Sequence, residues 1–78
     1  MNEYKCIVVG LNPNGEPDLA FVIVKTTAEK YENGVHLNIA HDWAEDRGYE
    51  PVIVLDENDP GGRMILDKFD WETADVVS

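Results

Sequence analysis

The chain has 78 residues, with 16 Asp or Glu against six Lys or Arg, which gives a formal net charge of −10. This length predicts one domain, residues 1–78, and this charge argues against direct binding to nucleic acid or to an anionic membrane, because both need clustered basic side chains. An acidic excess makes a protein soluble, attracts a basic partner protein or reflects a salt-rich environment, and composition does not separate these readings.

The cysteine content and the spread of apolar residues indicate the compartment. Cys6 is the single cysteine, so an intramolecular disulfide is impossible and a zinc site built on thiolates is not expected. A lone thiol is compatible with a reducing cytosol. The N-terminus lacks the pattern of a signal peptide, and no apolar run approaches the ~18 residues of a membrane span. We expect a cytoplasmic protein without a membrane segment.

The first 26 residues predict an antiparallel β-hairpin. Residues 3–11, EYKCIVVGL, and residues 19–26, LAFVIVKT, are rich in β-branched and apolar side chains. Between them lies NPNGEPD, residues 12–18. Its prolines preset φ and its Asn-Gly pair tolerates left-handed backbone, so this segment is typical of a turn.

A helix follows the hairpin. Thr26 and Glu29 have the spacing of a capping box, and Gly48 suits the position just beyond a helix end. Asn33-Gly34 interrupts this span, and the alternative is a helix that begins only after Asn33. We prefer the longer helix, because apolar residues keep helical spacing across the interruption. These residues are Ala28, Tyr31, Val35, Ile39 and Trp43.

The C-terminal third predicts a third strand and a mixed tail. Residues 51–55, PVIVL, are a strand, and residues 56–62, DENDPGG, are a loop. Residues 63–66 fit either a fourth strand or a short helix. Residues 70–72, Asp-Trp-Glu, resemble the cap and first turn of a terminal helix that ends near Val77.

This element order predicts an α+β fold: a small β-β-α-β domain in which one main helix covers one face of an antiparallel sheet. The three strands are apolar on both faces, so the second face also needs a cover. Either the short C-terminal strand or helix segment supplies it, with Phe69 or Trp71 against the strands, or a second copy of the chain does. Whether the protein is a monomer or a homodimer stays open.

The helix carries both histidines, His36 and His41. Their spacing of five residues turns the two rings about 140° apart, so they do not form the i, i+4 pair of helical metal sites. His36 falls in the apolar arc, where we expect a hydrogen bond to backbone or to an acid. His41 falls on the polar side with Glu45, which together make half a metal site, while its neighbour Asp42 should point away. We assign no metal or cofactor.

Two C-terminal segments are further candidates for a functional site. Residues 56–67 resemble a distorted calcium loop, but Pro60 offers no side-chain oxygen and Asp67 replaces the bidentate glutamate. Phe69, Asp70 and Trp71 place two large aromatics beside an acid. We expect them to anchor the tail on the sheet, and their alternative role is a partner-docking surface.

No motif for nucleophilic, nucleotide-dependent or metal-dependent catalysis is present. The sequence therefore favours a non-enzymatic protein–protein interaction module, an adaptor or inhibitor, with a basic protein as its partner. The alternative is a small metal- or ligand-binding enzyme domain that uses His36, His41 and nearby carboxylates.

Overall fold

A computed structural model describes residues 1–78 and confirms the α+β class. The chain forms a four-stranded sheet, three helices and one 3-10 turn. In chain order the elements are β1 (Asn2–Leu11), β2 (Pro17–Thr26), α1 (Ala28–Glu32), α2 (Val35–Asp46), β3 (Glu50–Leu55), α3 (Pro60–Leu66), the 3-10 turn (Trp71–Thr73) and β4 (Asp75–Val77).

The strand order in the sheet is β3-β1-β2-β4. β1 pairs antiparallel with both β2 and β3, as expected, but β4 pairs parallel with β2. The prediction of a purely antiparallel sheet is therefore wrong for this last strand. Because β3 and β4 run in the same direction at opposite edges, residues 56–74 must cross the sheet between them, as a parallel connection requires.

The preferred continuous helix is also wrong. α1 ends at Glu32, and Gly34 adopts a left-handed φ of 75° before α2 begins at Val35. A residue with this φ cannot continue a right-handed helix, so the freedom of glycine outweighs the apolar spacing here. The cap is one residue later than expected. Thr27, rather than Thr26, accepts a hydrogen bond from the Lys30 N–H at 3.2 Å.

The helix α2 covers the first face of the sheet. Ala40 and Ala44 are fully buried against the strands, and Ile39 and Trp43 flank them with partial burial. Small side chains at the contact let a helix approach a sheet closely. The sheet contributes Cys6, Val8, Ala20, Val22 and Val24 to this core.

The C-terminal segment forms a helix, a 3-10 turn and a strand. Residues 63–66, which fitted either a strand or a helix, belong to α3. Asp70 caps the next turn by accepting a hydrogen bond from the Glu72 N–H at 3.1 Å. The predicted terminal helix is wrong beyond that turn, because residues 75–77 pair with β2. A strand there satisfies backbone groups on the otherwise free edge of β2.

Two glycines follow Pro60 in the first turn of α3, and one of them allows the helix to pack closely against residue 56. Gly62 is buried, and a Cβ atom on it would lie 2.4 Å from the carbonyl oxygen of Asp56. Gly61 faces open space and has no neighbour within 4 Å of the equivalent position. Glycine disfavours a helix intrinsically, but at position 62 close backbone approach requires it.

Gly62→Ala should therefore destabilise the protein by roughly 1–3 kcal/mol, the range typical of overpacking. Gly61→Ala is the matched control and should be neutral or stabilising by up to about 1 kcal/mol, because alanine is the better helix former. Urea denaturation of both variants measures the difference. Equal stabilities would contradict the close approach of α3 to residue 56.

The second face of the sheet is covered in part by the C-terminal segment, which confirms the predicted anchor. The Phe69 ring stacks on Phe21 with centroids 3.8 Å apart, and Trp71 meets both rings edge-on. The indole N–H of Trp71 donates to the carbonyl oxygen of Leu66 at 2.9 Å. Beneath this cover Ile7 is fully buried.

Candidate functional site

His36 and Asp56 form a buried pair between α2 and the end of β3. His36 Nε2 lies 2.6 Å from Asp56 Oδ2, and the two residues are 3% and 5% exposed. The other oxygen, Asp56 Oδ1, accepts a hydrogen bond from the Asn58 N–H at 2.8 Å. The expectation that His36 would be hydrogen-bonded to an acid is confirmed. His36 Nδ1 makes no hydrogen bond within the protein.

Aromatic rings close this pair off from one side. Tyr4 and Tyr31 stack with centroids 4.0 Å apart, and the Tyr31 ring lies 4.5 Å from that of His36. The Tyr31 hydroxyl in turn accepts a hydrogen bond from the Asn58 side-chain amide. The pair therefore links α2 to the loop after β3 and is not open to a substrate.

Cys6 lies in the same core. Burial, and secondarily the negative charge of Asp56, raise the pKa of the Cys6 thiol from its ordinary value of 9.0 to about 12. The thiolate is the nucleophilic form of cysteine. A thiol that stays protonated and fully buried is therefore a packing group rather than a nucleophile for His36 to activate.

Cys6 should not react with iodoacetamide in the folded protein at neutral or mildly alkaline pH, and it should react fully in denaturant.

The raised pKa of Cys6 also has a consequence for the stability of the protein. Between about pH 9 and about pH 12 the unfolded thiol loses its proton while the folded thiol keeps it. The free energy of unfolding should therefore fall as the pH rises through this window.

Cys6→Val is the control for this pH dependence, since valine fills a similar volume and does not titrate. Denaturant titrations of both proteins at several alkaline pH values separate the contribution of the thiol from that of every other group. A wild-type protein that loses no more stability than Cys6→Val would contradict the raised pKa.

His41, Asp42 and Glu45 form an exposed cluster on α2. His41 Nδ1 lies 3.4 Å from Glu45 Oε1 and 3.6 Å from Asp42 Oδ1. The expectation that Asp42 would point away is wrong, because a side-chain rotation brings its carboxylate back beside the ring. One ligand atom from each residue lies within 4.8 Å of the others. His36 does not belong to this group, since it is buried against Asp56.

Phe69, Asp70 and Trp71 have structural partners. The two aromatic rings are half-buried against Phe21, and Asp70 caps the 3-10 turn. The two rings thus cover part of the second face, and Asp70 stabilises the turn that carries Trp71. Their additional use as a docking surface stays a prediction.

The cover leaves the far end of this second face open. A cleft of about 540 Å³ lies between the ends of β1 and β2 and the start of β3. Leu19, Val52 and Ile53 are 36%, 80% and 51% exposed. The residues that line the cleft are Val9, Gly10, Leu11, Pro17, Asp18, Leu19 and Val52.

A bulge in β3 shapes this cleft. The pairing of β1 with β3 shifts between Val9 and Gly10, so that Val9 faces Ile53 while Gly10 faces Pro51. Val52 is left unpaired and points outward. A Cβ atom on Gly10 would lie 2.2 Å from the carbonyl oxygen of Glu50, so glycine is required for this close approach.

The surroundings of the cleft are acidic. The stretches 6–24 and 48–62, which include the strand segments around the cleft, contain no Lys or Arg. They contain Glu16, Asp18, Glu50, Asp56, Glu57 and Asp59. Asp56 is buried against His36, but Glu16, Asp18, Glu50 and Glu57 are exposed. The charged side chains that these two stretches contribute are thus all acidic.

Sequence reasoning did not locate this cleft. The apolar character of both strand faces indicated that a second cover was needed, but not how far that cover extends. No protein-family model matches the chain, and no curated protein or solved structure is significantly similar to it. None of its helices is both long and apolar enough to cross a bilayer.

Proposed function

We propose that this chain is a non-enzymatic protein-interaction domain, an adaptor or inhibitor, that binds a basic partner protein through the open cleft. The observation that carries this proposal is the exposed apolar surface around Leu19, Val52 and Ile53, beside a cleft whose one charged lining residue is the acidic Asp18. Contiguous exposed apolar patches are uncommon on monomeric proteins and often mark interaction sites.

The apolar and acidic components have different roles in such a complex. Burial of the exposed valine, isoleucine and leucine supplies affinity, at about 25 cal/mol per Å² of apolar surface removed from water. The surrounding carboxylates speed the encounter with a basic partner and disfavour acidic ones. The same carboxylates repel nucleic acid, which makes a protein the appropriate class of partner.

The experiment begins with capture of partners from the source cells and continues with the purified partner. Ile53→Thr combined with Val52→Thr should weaken that reconstituted complex by about tenfold or more, the equivalent of ~1.4 kcal/mol. Val76→Thr is the matched control, because Val76 is 50% exposed at the opposite edge of the same sheet. The affinity should also fall steeply towards 1 M salt, where the Debye length is only about 3 Å.

Two outcomes would overturn the proposal. One is that no captured protein forms a complex after purification. The other is a complex that tolerates the double variant as well as it tolerates Val76→Thr. A complex that is unchanged by molar salt would contradict the basic character of the partner while leaving the cleft as its site.

The second candidate function is a metal-binding enzyme domain, and the exposed cluster of His41, Asp42 and Glu45 favours it. These residues offer three ligand atoms, which is the number that catalytic zinc sites commonly take from the protein. Stoichiometric metal in the purified protein, together with a zinc-dependent thermal shift that His41→Ala abolishes, would place this function ahead of the first. His36 is committed to Asp56 and is not available to that site.

A further inference from the structure

We infer that the partner segment binds as an extended strand on the free edge of β3, with apolar side chains against Val52 and Ile53 at the rim of the cleft and Lys or Arg at its ends. This inference rests on the proposed function and specifies the chemistry of its ligand. Addition of a strand to an exposed sheet edge is a recurring mode of peptide recognition, in which main-chain hydrogen bonds supply affinity and side-chain pockets supply specificity.

The strand order provides the edge. β3 pairs with β1 on one side and with no strand on the other. Pro51 has no N–H to donate, and Val52 is the unpaired residue of the bulge, so the regular part of the edge is residues 53–55. Proline and bulges are devices by which proteins limit edge-to-edge association. In this sheet they limit strand pairing at the Glu50 end of β3 and not at the Leu55 end.

The edge is continuous with the apolar cleft. On the second face of the sheet Ile53 lies beside Val9, and Val9 lies beside Leu19. Neighbouring strands are about 4.8 Å apart, so a strand added next to β3 would place alternate side chains beside Ile53. Val52 lines the cleft and follows Pro51 on β3, so a side chain of the added strand contacts Ile53 and Val52 at the rim of the cleft, while Val9 and Leu19 lie one and two strands further in.

The negative charges at the two ends of β3 favour a basic partner segment over a second copy of the chain. In an antiparallel pairing of two β3 strands, Glu50 of one copy would lie near the Leu55–Glu57 end of the other, and each copy has a net charge of −10. A second copy therefore brings like charges together at both ends of the pairing. A segment with an apolar centre and basic ends instead complements Glu50 and Glu57 at opposite ends of β3. The apolar centre alone would not distinguish these two occupants.

The test uses a random dodecapeptide display library selected on the full chain. We expect peptides with apolar residues at every second position and Lys or Arg on both sides of them. The backbone amides of a bound strand point alternately towards β3 and away from it. N-methylation of the amides that point towards β3 should lower the affinity of the best peptide at least tenfold, whereas N-methylation of the other amides should lower it little. Replacing its basic residues with Glu should also lower the affinity at least tenfold. Amide shifts in the NMR spectrum should be largest for residues 53–55.

Several results would overturn the inference. They are selected peptides with apolar spacing of three and four residues, no selected peptide at all, or amide shifts centred away from β3. A homodimer in sedimentation that is lost in Ile53→Thr would assign the edge to a second copy instead. The proposed function is decided separately, because a natural partner complex that needs Val52 and Ile53 would stand even if that partner docked as a helix.

Discussion

Asp56→Ala should destabilise the protein by about 3–5 kcal/mol, because it removes two hydrogen bonds of one buried carboxylate and each group left without its partner costs about 1–3 kcal/mol. The variant leaves His36 buried without its 2.6 Å partner and leaves the Asn58 N–H without its acceptor. A domain of this size has a total stability near the lower part of the ~5–15 kcal/mol range. The variant should therefore be largely unfolded at physiological temperature.

Two further variants identify the cause of that loss. Asp56→Asn keeps an oxygen that can accept from Asn58 and should be less destabilising than Asp56→Ala. Asp42→Ala removes a carboxylate of the same charge that is 76% exposed and should change stability by less than about 0.5 kcal/mol. Urea titration followed by tryptophan fluorescence measures all three.

A double-mutant cycle with His36→Ala tests the pairing itself. The two single substitutions should each be strongly destabilising, and the double variant should be more stable than the sum of the two losses predicts, because neither partner is left unpaired. Additive losses would mean that His36 and Asp56 contribute independently. Asp56→Ala with the stability of the wild type would contradict the buried pair altogether.

The burial of His36 was predictable, whereas its partner was not. The position of His36 in an apolar arc is a local property of helical spacing, and it requires only that a polar atom on that face be satisfied. Asp56 lies 20 residues away in a loop segment. Several acids follow the third strand, and the one that turns inward is fixed by the tertiary fold, which brings Asp56 beside His36.

The interruption at Asn33-Gly34 shows two local signals in conflict. Apolar spacing across the pair indicated a continuous helix, and the pair itself indicated a break. The helix is interrupted at Gly34 because the left-handed φ of this residue cannot be accommodated within a right-handed helix. The short helix before it survives through its own Thr27 cap and through the stack of Tyr31 on Tyr4.

Neither the parallel pairing of β4 nor the cleft could be predicted from the sequence, and the reason is the same for both. Both depend on the path of residues 56–74 over the second face of the sheet, which no local pattern specifies. Asp70 correctly indicated a capped turn, but the free edge of β2 converted the following residues into a strand. Because this path covers Ile7 and Phe21 rather than Val9 and Leu19, one end of the face stays open.

Phe69→Ala should lower the stability by about 2–3 kcal/mol. A fully buried phenylalanine costs about 3–5 kcal/mol on truncation to alanine, and the half-burial of Phe69 reduces that value. Loss of the stacked and edge-on aromatic contacts with Phe21 and Trp71 adds to the effect. For a domain of 60–100 residues, 1 kcal/mol corresponds to roughly 4–8 °C, so the melting temperature should fall by roughly 8–24 °C.

Met64→Ala is the matched control for Phe69→Ala. Met64 also lies in the C-terminal segment, but it is 75% exposed, so its truncation should leave the melting temperature nearly unchanged. Loss of the Phe69 ring should also extend the open apolar surface from the cleft towards Ile7, and binding of a hydrophobic dye to the still-folded variant at low temperature should rise. If Phe69→Ala melted with the wild type and bound no more dye, the C-terminal segment would not be the cover of the second face, and a second copy of the chain would become the principal candidate for that role.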